Sequence, residues 1–324
     1  MDVSIIVVAW NVRELLGDCL RSVYEQTKGI DFEVIYVDNA STDGSVEMVR
    51  KEFPQARIIE NKQNNGFIKA NNQGIEIATG RYVLLLNSDT IVLDNAIAKT
   101  AQFADAHPEA AAVACRVLNP DRTLQDNCFR FYSTFNMILD VLWLSRLFPK
   151  SKIFGRKVYG GWNYDSVKEV DVVVGCFSLV RMKAIQQVGV MDERFFVYGD
   201  DIDWCYRFAK AGWKVLFTPA AQIIHYGGQT TRKDTGRYAL QLHGAVLINV
   251  KTHYGPLTFI GCRLLTACYL LMRVPYWLLK AAARSNERRV AALTSARFCW
   301  LGCWYTLIDW TRLLMNREKV LGKL

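Results

Sequence analysis

The chemistry-bearing side chains stand where apolar runs stop. Residues 81–90 read RYVLLLNSDT: Tyr82 to Leu86 is an apolar run, too short for a helix and suited to a strand buried on both faces. It breaks into Asn87, Ser88, Asp89 and Thr90. Asn87 and Asp89 are two apart, so in an extended chain both project to the same side. An amide and a carboxylate on one side suit a hard cation and a hydroxylated or phosphorylated ligand; the plainer alternative is an Asx turn closing a strand. A second acidic group, Asp200, Asp201 and Asp203, follows Gly199. The spacing predicts a helix from about Ile202 to Ala211 closed by Gly212, with the acids around its first turn, where the helix dipole favours negative charge. They are either a helix cap or the source of a general base, because crowded acids raise one another's pKa. His225 opens a glycine-rich loop, Tyr226 to Thr231. Neutral imidazole binds metals and imidazolium binds phosphate, while a lone histidine is equally at home as a structural residue.

The elements that must position these groups alternate along the chain. Val3 to Val8 reads as a buried strand, and Asn11 with Glu14 approximates a capping box for a helix carrying Leu15, Leu16, Cys19, Leu20 and Val23. Phe32 to Val37 is a second strand ending at Asp38. Ser41 or Thr42 is expected to cap the next helix. Residues 57–60 form a third strand, 61–66 a polar loop, and 67–78 a helix with Gly80 as its C′ residue. The order β-α-β-α-β-α-β predicts an α/β fold with a mostly parallel sheet. Ligands in such sheets bind beyond the carboxyl ends of the strands, where Ala9-Trp10, Asp38 and Asn87/Asp89 all fall. Between Ile91 and Val170 we expect one helix, one strand and a long irregular segment. Val172 to Val180 reads as one strand with Gly175 at its middle, Met182 to Val188 as a short helix ended by Gly189, and Lys214 to Phe217 as a strand. No G-x-G-x-x-G or G-x-x-x-x-G-K-[ST] occurs, so the fingerprints of a dinucleotide dehydrogenase and a P-loop enzyme are missing.

With 324 residues, 51% hydrophobic and 22% charged, the chain has the composition of a folded protein. Its net charge of +9 lies entirely from Lys251 onward, where twelve Lys/Arg face three Asp/Glu; the first 250 residues are neutral. Nine cysteines without a C-x-x-C, and no targeting segment at the start, suggest reduced thiols in the cytosol. Residues 256–283 and 298–308 are strongly apolar but interrupted, and neither offers the roughly 18 uncharged residues of a spanning helix. On a helical wheel Arg263, Thr266, Arg273 and Lys280 share one arc, which suits a helix lying in a membrane interface with its cations toward anionic headgroups. An ordinary helical subdomain or a homo-oligomer contact are the alternatives. The tail is too apolar for a nucleic-acid binder and carries no nucleic-acid motif.

Taken in order, SIIVVAWN at residues 4–11, VDNASTDG at 37–44, NNGF at 64–67, LNSDT at 86–90, the stretch from Gly175 to Asp203 and HYGG at 225–228 resemble a family 2 glycosyltransferase. More narrowly, they resemble the rhamnosyltransferase-like branch of bacterial enzymes that build O-antigen and other surface polysaccharides. The resemblance spans roughly residues 1–255. It implies a GT-A nucleotide-diphosphosugar fold there, with residues 256–324 as a helical C-terminal extension that associates with membrane or oligomerises. It implies that Ala9, Trp10 and Asn11 form part of a nucleoside pocket. Asp38 would contact base or ribose, and Asn65, Gly66 and Phe67 would line the nucleotide side. Asn87-Ser88-Asp89 occupies the family's D-x-D position, with Asp89 as ligand of Mg²⁺ or Mn²⁺ and Asn87 replacing the first acid. Asp201 matches the final acid of the family's E-D motif and is the expected general base, beside Asp200 in place of Glu. His225 matches a position that touches metal or diphosphate.

The expected reaction is an inverting transfer of a sugar, rhamnose by this resemblance, from a nucleoside-diphosphate donor to a saccharide or polyprenyl-diphosphate-linked acceptor. It would take place on the cytoplasmic face of the inner membrane. Gln229-Thr-Thr-Arg-Lys233 only approximates the Q-x-x-R-W of processive synthases. The reading of a different class is a non-catalytic sugar-binding or scaffold protein, which needs no pairing of Asp89 with Asp201.

Overall fold

The structure, a computed structural model, describes residues 1–195, 198–227 and 235–314. Gly228 and the Gln229–Lys233 stretch lie outside the described residues. The chain forms two compact units. Unit one comprises residues 1–130, 162–196 and 200–230, and unit two residues 131–161, 197–199 and 231–324. The expected boundary at 255/256 therefore falls inside unit two, at the break between two of its helices.

Unit one is built on strands β1 (Val3–Ala9), β2 (Phe32–Asp38), β3 (Arg57–Glu60) and β4 (Tyr82–Asn87), pairing in parallel in the order β3-β2-β1-β4. Every residue of β1 is buried, as its unbroken apolar run requires for a strand covered on both faces. Helices α1 (Arg13–Gln26), α2 (Ser45–Glu52) and α3 (Phe67–Ile77) are the crossovers. Strands β2 and β4 flank β1 on opposite sides, so the chain reverses its direction of growth at β1, the place where open α/β sheets bind ligands.

The sheet continues through β5 (Thr90–Val92), β6 (Ala110–Leu118), β11 (Phe177–Arg181) and β12 (Lys214–His225), giving the order β3-β2-β1-β4-β11-β6-β12-β5. Helix α4 (Ala96–Ala106) precedes β6. Strand β11 runs against both β4 and β6, and β5 against β12. Short strands β7 (Leu124–Gln125) and β9 (Lys168–Glu169) pair with β6 and β12. Strands β8 (Cys128–Phe129) and β10 (Val172–Val173) form a separate ladder.

Several local expectations change. Val172 to Val180 is not one strand: Val174, Gly175 and Cys176 separate β10 from β11. The strand expected at 214–217 runs on to His225, with its register to β6 shifting between Thr218 and Gln222, so it passes Pro219 through an irregularity. Neither Ser41 nor Thr42 caps α2; Asp43 does, accepting from the Ser45 N–H at 3.1 Å. Asn11 does not cap α1 either, and Asp43 accepts the Arg13 N–H at 2.9 Å. Gly80 is no left-handed C′ residue. A Cβ there would stand 2.6 Å from the Ser4 nitrogen and 2.7 Å from the Tyr82 oxygen, so this glycine admits close approach of β1.

Unit two is helical: α5 (Thr134–Val141), α6 (Leu144–Leu147), α9 (Thr235–His253), α10 (Pro256–Ala282) and α11 (Asn286–Ile308). Unit one supplies the remaining helices, α7 (Met182–Val188) and α8 (Asp200–Lys210). Helices α10 and α11 form an antiparallel hairpin around Ala267, Leu270, Cys299 and Cys303. Gly302 makes this packing possible, since a Cβ there would meet Leu240 at 2.6 Å and Leu270 at 3.1 Å.

The arc of α10 expected to face lipid headgroups turns inward. Arg263 donates to the carbonyls of Thr306 and Leu307, both at 2.6 Å, supplying partners that the end of α11 lacks. Thr266 is buried, and Arg273 is half buried. The exposed side of α10 carries Leu257, Ile260, Leu264, Leu271, Met272 and Leu279 instead. By length and composition α10 is apolar enough to cross a bilayer, with a mean hydropathy of 1.5 over its best window, although only two or fewer charges fall there.

Candidate active site

All of the sequence-predicted site residues lie in unit one, at the carboxyl ends of its strands, in the loops that follow, or, for Asp200 and Asp201, at the start of α8. Strand register sets Ala9 opposite Asp38. The two loops beyond are then tied together. Asn11, in a left-handed conformation with φ of 53°, donates its N–H to Ser41 Oγ at 3.0 Å and accepts the Thr42 N–H at 2.8 Å through Oδ1. Asp38 is buried, and its carboxylate accepts from Tyr36 Oη at 2.6 Å and from the Ser41 N–H at 2.9 Å. Burial, then the Asp38 carboxylate, pushes the Tyr36 phenol far up, which keeps it a donor.

Asn39 links this wall to the next loop. Its amide nitrogen donates to the Gly66 carbonyl at 3.1 Å, and its Oδ1 accepts from Asn61 Nδ2 at 3.1 Å and the Asn65 N–H at 3.4 Å. Through Asn11 and Asn39 the loops after β1, β2 and β3 are tied to one another, with Asn65 and Gly66 on the third.

Asn87, Ser88 and Asp89 make the turn from β4 into β5. They are not one extended strand, yet Asn87 and Asp89 still converge, because β12 pairs with β5 so that His225 stands opposite Thr90. The Tyr226 N–H donates to the Asp89 carbonyl at 2.9 Å. His225 Nε2 consequently lies 3.2 Å from Asn87 Nδ2 and 3.2 Å from Asp89 Oδ1.

The opposite ring nitrogen, Nδ1, is 2.6 Å from Gln125 Oε1. Gln125 Nε2 is committed to Asn119 Oδ1 at 2.8 Å, and Asn119 Nδ2 donates to Thr123 Oγ1 at 3.0 Å. This network fixes which end of each amide faces which way. Gln125 presents its oxygen, so the Nδ1–H donates to it, while Nε2 faces the Asn87 amide nitrogen, a donor, and the Asp89 carboxylate, an acceptor.

One carboxylate, Asp89, and one imidazole, His225, 3.2 Å apart could hold a hard divalent cation, with the Asn87 amide nitrogen beside them as a hydrogen-bond donor. Among the described residues no three His, Cys, Asp or Glu side chains cluster as a full metal cage. A cation held by few protein ligands completes its shell with substrate phosphates and water.

The acids of α8 form the second half. The helix begins at Asp200, two residues earlier than expected, and Gly212, with φ of 88°, follows its end. Asp203 pairs with Arg207 at 2.8 Å, and Arg207 donates to the Val188 carbonyl at 2.7 Å and that of Val190 at 2.9 Å, so this acid staples α8 to the end of α7. Among the described residues no cation pairs with Asp200 or Asp201. Burial raises the Asp200 carboxyl to about 6, against the backbone N–H groups that pull it down, and its Oδ2 has no hydrogen-bond partner. Burial, then the Asp200 charge, raises Asp201 well above the usual carboxylate range.

Gly175 makes room for Asp201. An added Cβ would stand 3.0 Å from Asp201 Oδ1, and the Gly175 N–H donates to that carboxylate. The next residue joins the two halves. The Cys176 carbonyl accepts the Asn87 N–H at 3.1 Å. Its buried thiol is pushed up to about 12 by burial and then by the charges of both Asp201 and Asp89.

Sequence reasoning missed Asn39, Gln125 and Cys176. Asn39 sat in a quoted motif without a role. Gln125 lies in a two-residue strand that shows no periodicity, and Cys176 reads simply as part of an apolar run.

Comparison with known proteins gives this geometry its context. The model of glycosyl transferase family 2 matches residues 4–189. An N-acetylglucosaminyl-diphospho-decaprenol L-rhamnosyltransferase of Mycobacterium tuberculosis is 24% identical over 276 residues, covering 82% of this chain and 89% of that protein. Glycosyltransferase GlyG of Streptococcus pneumoniae is 26% identical over 219 residues, 66% of this chain and 67% of that one. Among solved structures, the mannosyltransferase PcManGT of Pyrobaculum calidifontis, in complex with GDP-Man and Mn²⁺, superposes with a TM-score of 0.58 at 17% identity, over 95% of this chain and 87% of that one. At that identity the likeness concerns the fold, which is of the GT-A type. The family match covers more than half of the chain, including the ends of β1, β2 and β4 and the Gly175 break, and on that ground the protein is a member of glycosyl transferase family 2.

Proposed function

We propose that this glycosyltransferase moves a sugar from a nucleoside-diphosphate donor to a lipid-linked saccharide acceptor in surface-polysaccharide synthesis, with inversion at the anomeric carbon. The observation that carries the reading is the Asp201 carboxylate set against Gly175, one residue from the carbonyl that holds Asn87. A base and a diphosphate-binding edge then flank one residue, Cys176. Sugar and lipid-linked acceptor are the chemistry named for the Mycobacterium tuberculosis relative, and an O-antigen biosynthesis protein of Myxococcus xanthus is also similar.

In the proposed step Asp201 takes the proton of an acceptor hydroxyl. The freed oxygen bonds to the anomeric carbon as the bond from that carbon to the donor phosphate breaks, and the electron pair leaves on the diphosphate. With one base and no carboxylate assigned as nucleophile, a single displacement inverts the centre. Asp89 and His225, through Nε2, would hold Mg²⁺ or Mn²⁺, which would supply charge to stabilise the departing diphosphate, with Asn87 as their hydrogen-bonding neighbour. Trp10, Asn11, Asp38, Asn65 and Gly66 border the nucleoside end, and Ser88 and Asp200 the sugar-phosphate end.

Among the described residues no cation pairs with these raised carboxylates, which suits proton abstraction better than the scaffold alternative. The chain is taken to work at the cytoplasmic face of the membrane through unit two. Incubating purified protein with a panel of nucleotide sugars and Mg²⁺, Mn²⁺ or a chelator, and following released nucleoside diphosphate, tests the function. Release with one donor, lost on chelation, is expected; no release with any donor in the presence of a prenyl-diphosphate-linked saccharide would refute it.

A further inference from the structure

Unit two holds cations that sugar transfer does not use. On α10 the Arg273 guanidinium lies 3.2 Å from the ring centre of Tyr269 and 5.2 Å from that of Trp143. About two turns of helix further on, the Lys280 ammonium lies 4.6 Å from the ring of Tyr276 and 5.1 Å from that of Trp277. Trp143 meets Tyr276 edge-on at 5.1 Å, so the aromatic groups form one continuous wall. Arg146 and Arg284 are exposed and close to the same Tyr276. The hydrogen bond from Lys280, and then the charges of Lys280, Arg146 and Arg284, draw the Tyr276 phenol below its ordinary value.

Among the described residues, the carboxylate that bears on these groups is Asp140, and it is already held by Lys157 at 2.9 Å. Among the described residues no ion pair reaches Arg146, Arg273, Lys280 or Arg284. His243, whose ring lies tilted 5.1 Å from that of Tyr269, is drawn down to about 4 by burial and then by Arg273 and Lys157, as a locally positive field requires.

The neighbours of these cations in sequence are apolar and exposed. Leu147 follows Arg146 and is 64% exposed, and Leu279 precedes Lys280 and is 72% exposed. Cations backed by tyrosine and tryptophan and bordered by exposed leucine match the boundary between headgroups and acyl chains. Soluble phosphate would need the cations but not the leucines.

We propose that Arg146, Arg273, Lys280 and Arg284 form a site for the phosphate of an anionic phospholipid, with the leucines beside them seated in the bilayer surface. The proposal deepens the membrane contact assumed above, but it does not depend on which sugar is moved. It also replaces the arc expected from the helical wheel, because Arg263 is spent on α11.

The test is flotation of the full chain on phosphatidylcholine vesicles with and without phosphatidylglycerol. The full chain is expected to float with the anionic vesicles and weakly with the neutral ones. Arg146→Ala/Lys280→Ala/Arg284→Ala leaves the Arg273 cage intact and should lower anionic-vesicle affinity on the order of a hundredfold, each cation contributing about fivefold. Arg146→Glu/Arg284→Glu, confined to exposed side chains, should weaken it at least as much if the triple variant folds poorly. Donor-dependent nucleoside-diphosphate release in solution should be unchanged in both. Equal flotation on neutral and anionic vesicles, or unchanged affinity in both variants, overturns the site. Saturable binding of inorganic pyrophosphate that the variants abolish, without any vesicle preference, also overturns it, because the cluster would then be a soluble-phosphate site. Anionic flotation that needs the cluster, in a protein that releases no nucleotide from any donor, would support this site while refuting the transfer reading.

Discussion

His225 has two ring nitrogens with different partners, and the outer one decides what the inner one can do. The Nδ1–H donates to Gln125, which holds the ring so that Nε2 faces Asp89 and Asn87. Gln125→Leu should weaken Mn²⁺ affinity about ten- to a hundredfold, read by electron paramagnetic resonance of free Mn²⁺, with little change in melting temperature. Gln125→Glu, which keeps the acceptor, should restore most of it. Equal affinity in wild type and Gln125→Leu would remove His225 from the cation edge. Asp200 makes a second prediction. Its folded-state pKa is raised from 3.8 to about 6, so its stabilising contribution is full below pH 3.8 and is lost as pH rises through about 6. Above that the native protein carries a buried, poorly solvated anion. Asp200→Asn should therefore be more stable than wild type above pH 7 by about 2 kcal/mol, and the gain should vanish below pH 4. Urea melts across that range measure it; a gain independent of pH would mean that charge is not the cause. Asp201 was legible in the sequence as an acid in a crowd. The cause of its shift, burial against Gly175 before any neighbouring charge, was not, because burial depends on residues far away in the chain.

At the scale of elements, the parallel half of the sheet was legible and the rest was not. Strands buried on both faces, such as β1 and β4, read as unbroken apolar runs. The pairing of β5 with β12 brings His225 to Asp89, yet β5 has three residues and β12 carries a proline and a register shift. Neither leaves a periodic trace. The break between β10 and β11 was likewise invisible, since Val172 to Val180 is apolar throughout and only Gly175 marks the place. That break serves the site, and it can be tested. Gly175→Ala puts a methyl group 3.0 Å from Asp201 Oδ1 without demanding an unusual backbone conformation. Turnover should fall on the order of a hundredfold from displacement of the base, with KM for the donor and the melting temperature close to wild type. Unchanged turnover would show that Asp201 has room to spare. Helix α10 teaches the converse lesson. Its wheel placed Arg263 and Arg273 on one arc, but the periodicity of a helix does not say which arc faces protein. Here tertiary partners, the carbonyls at the end of α11 and the rings of Tyr269 and Trp143, claim the cations.

At the scale of the whole molecule, charge and job divide together: unit one carries 20 Lys/Arg against 26 Asp/Glu, and unit two 20 against 5. Unit one carries every residue assigned to the donor, the cation edge and the base. Unit two carries the charge excess and the exposed leucines. The split is not a simple cut along the chain, because residues 131–161 belong with the C-terminal helices, which is why composition alone drew the line at 255. The account rests most heavily on a proton being taken by one carboxylate in unit one. The direct measurement is donor binding and single-turnover transfer by Asp201→Asn, side by side with wild type. We expect donor affinity to stay within a few-fold and the transfer rate to fall by about two to four orders of magnitude. Transfer by Asp201→Asn at close to the wild-type rate would contradict the account.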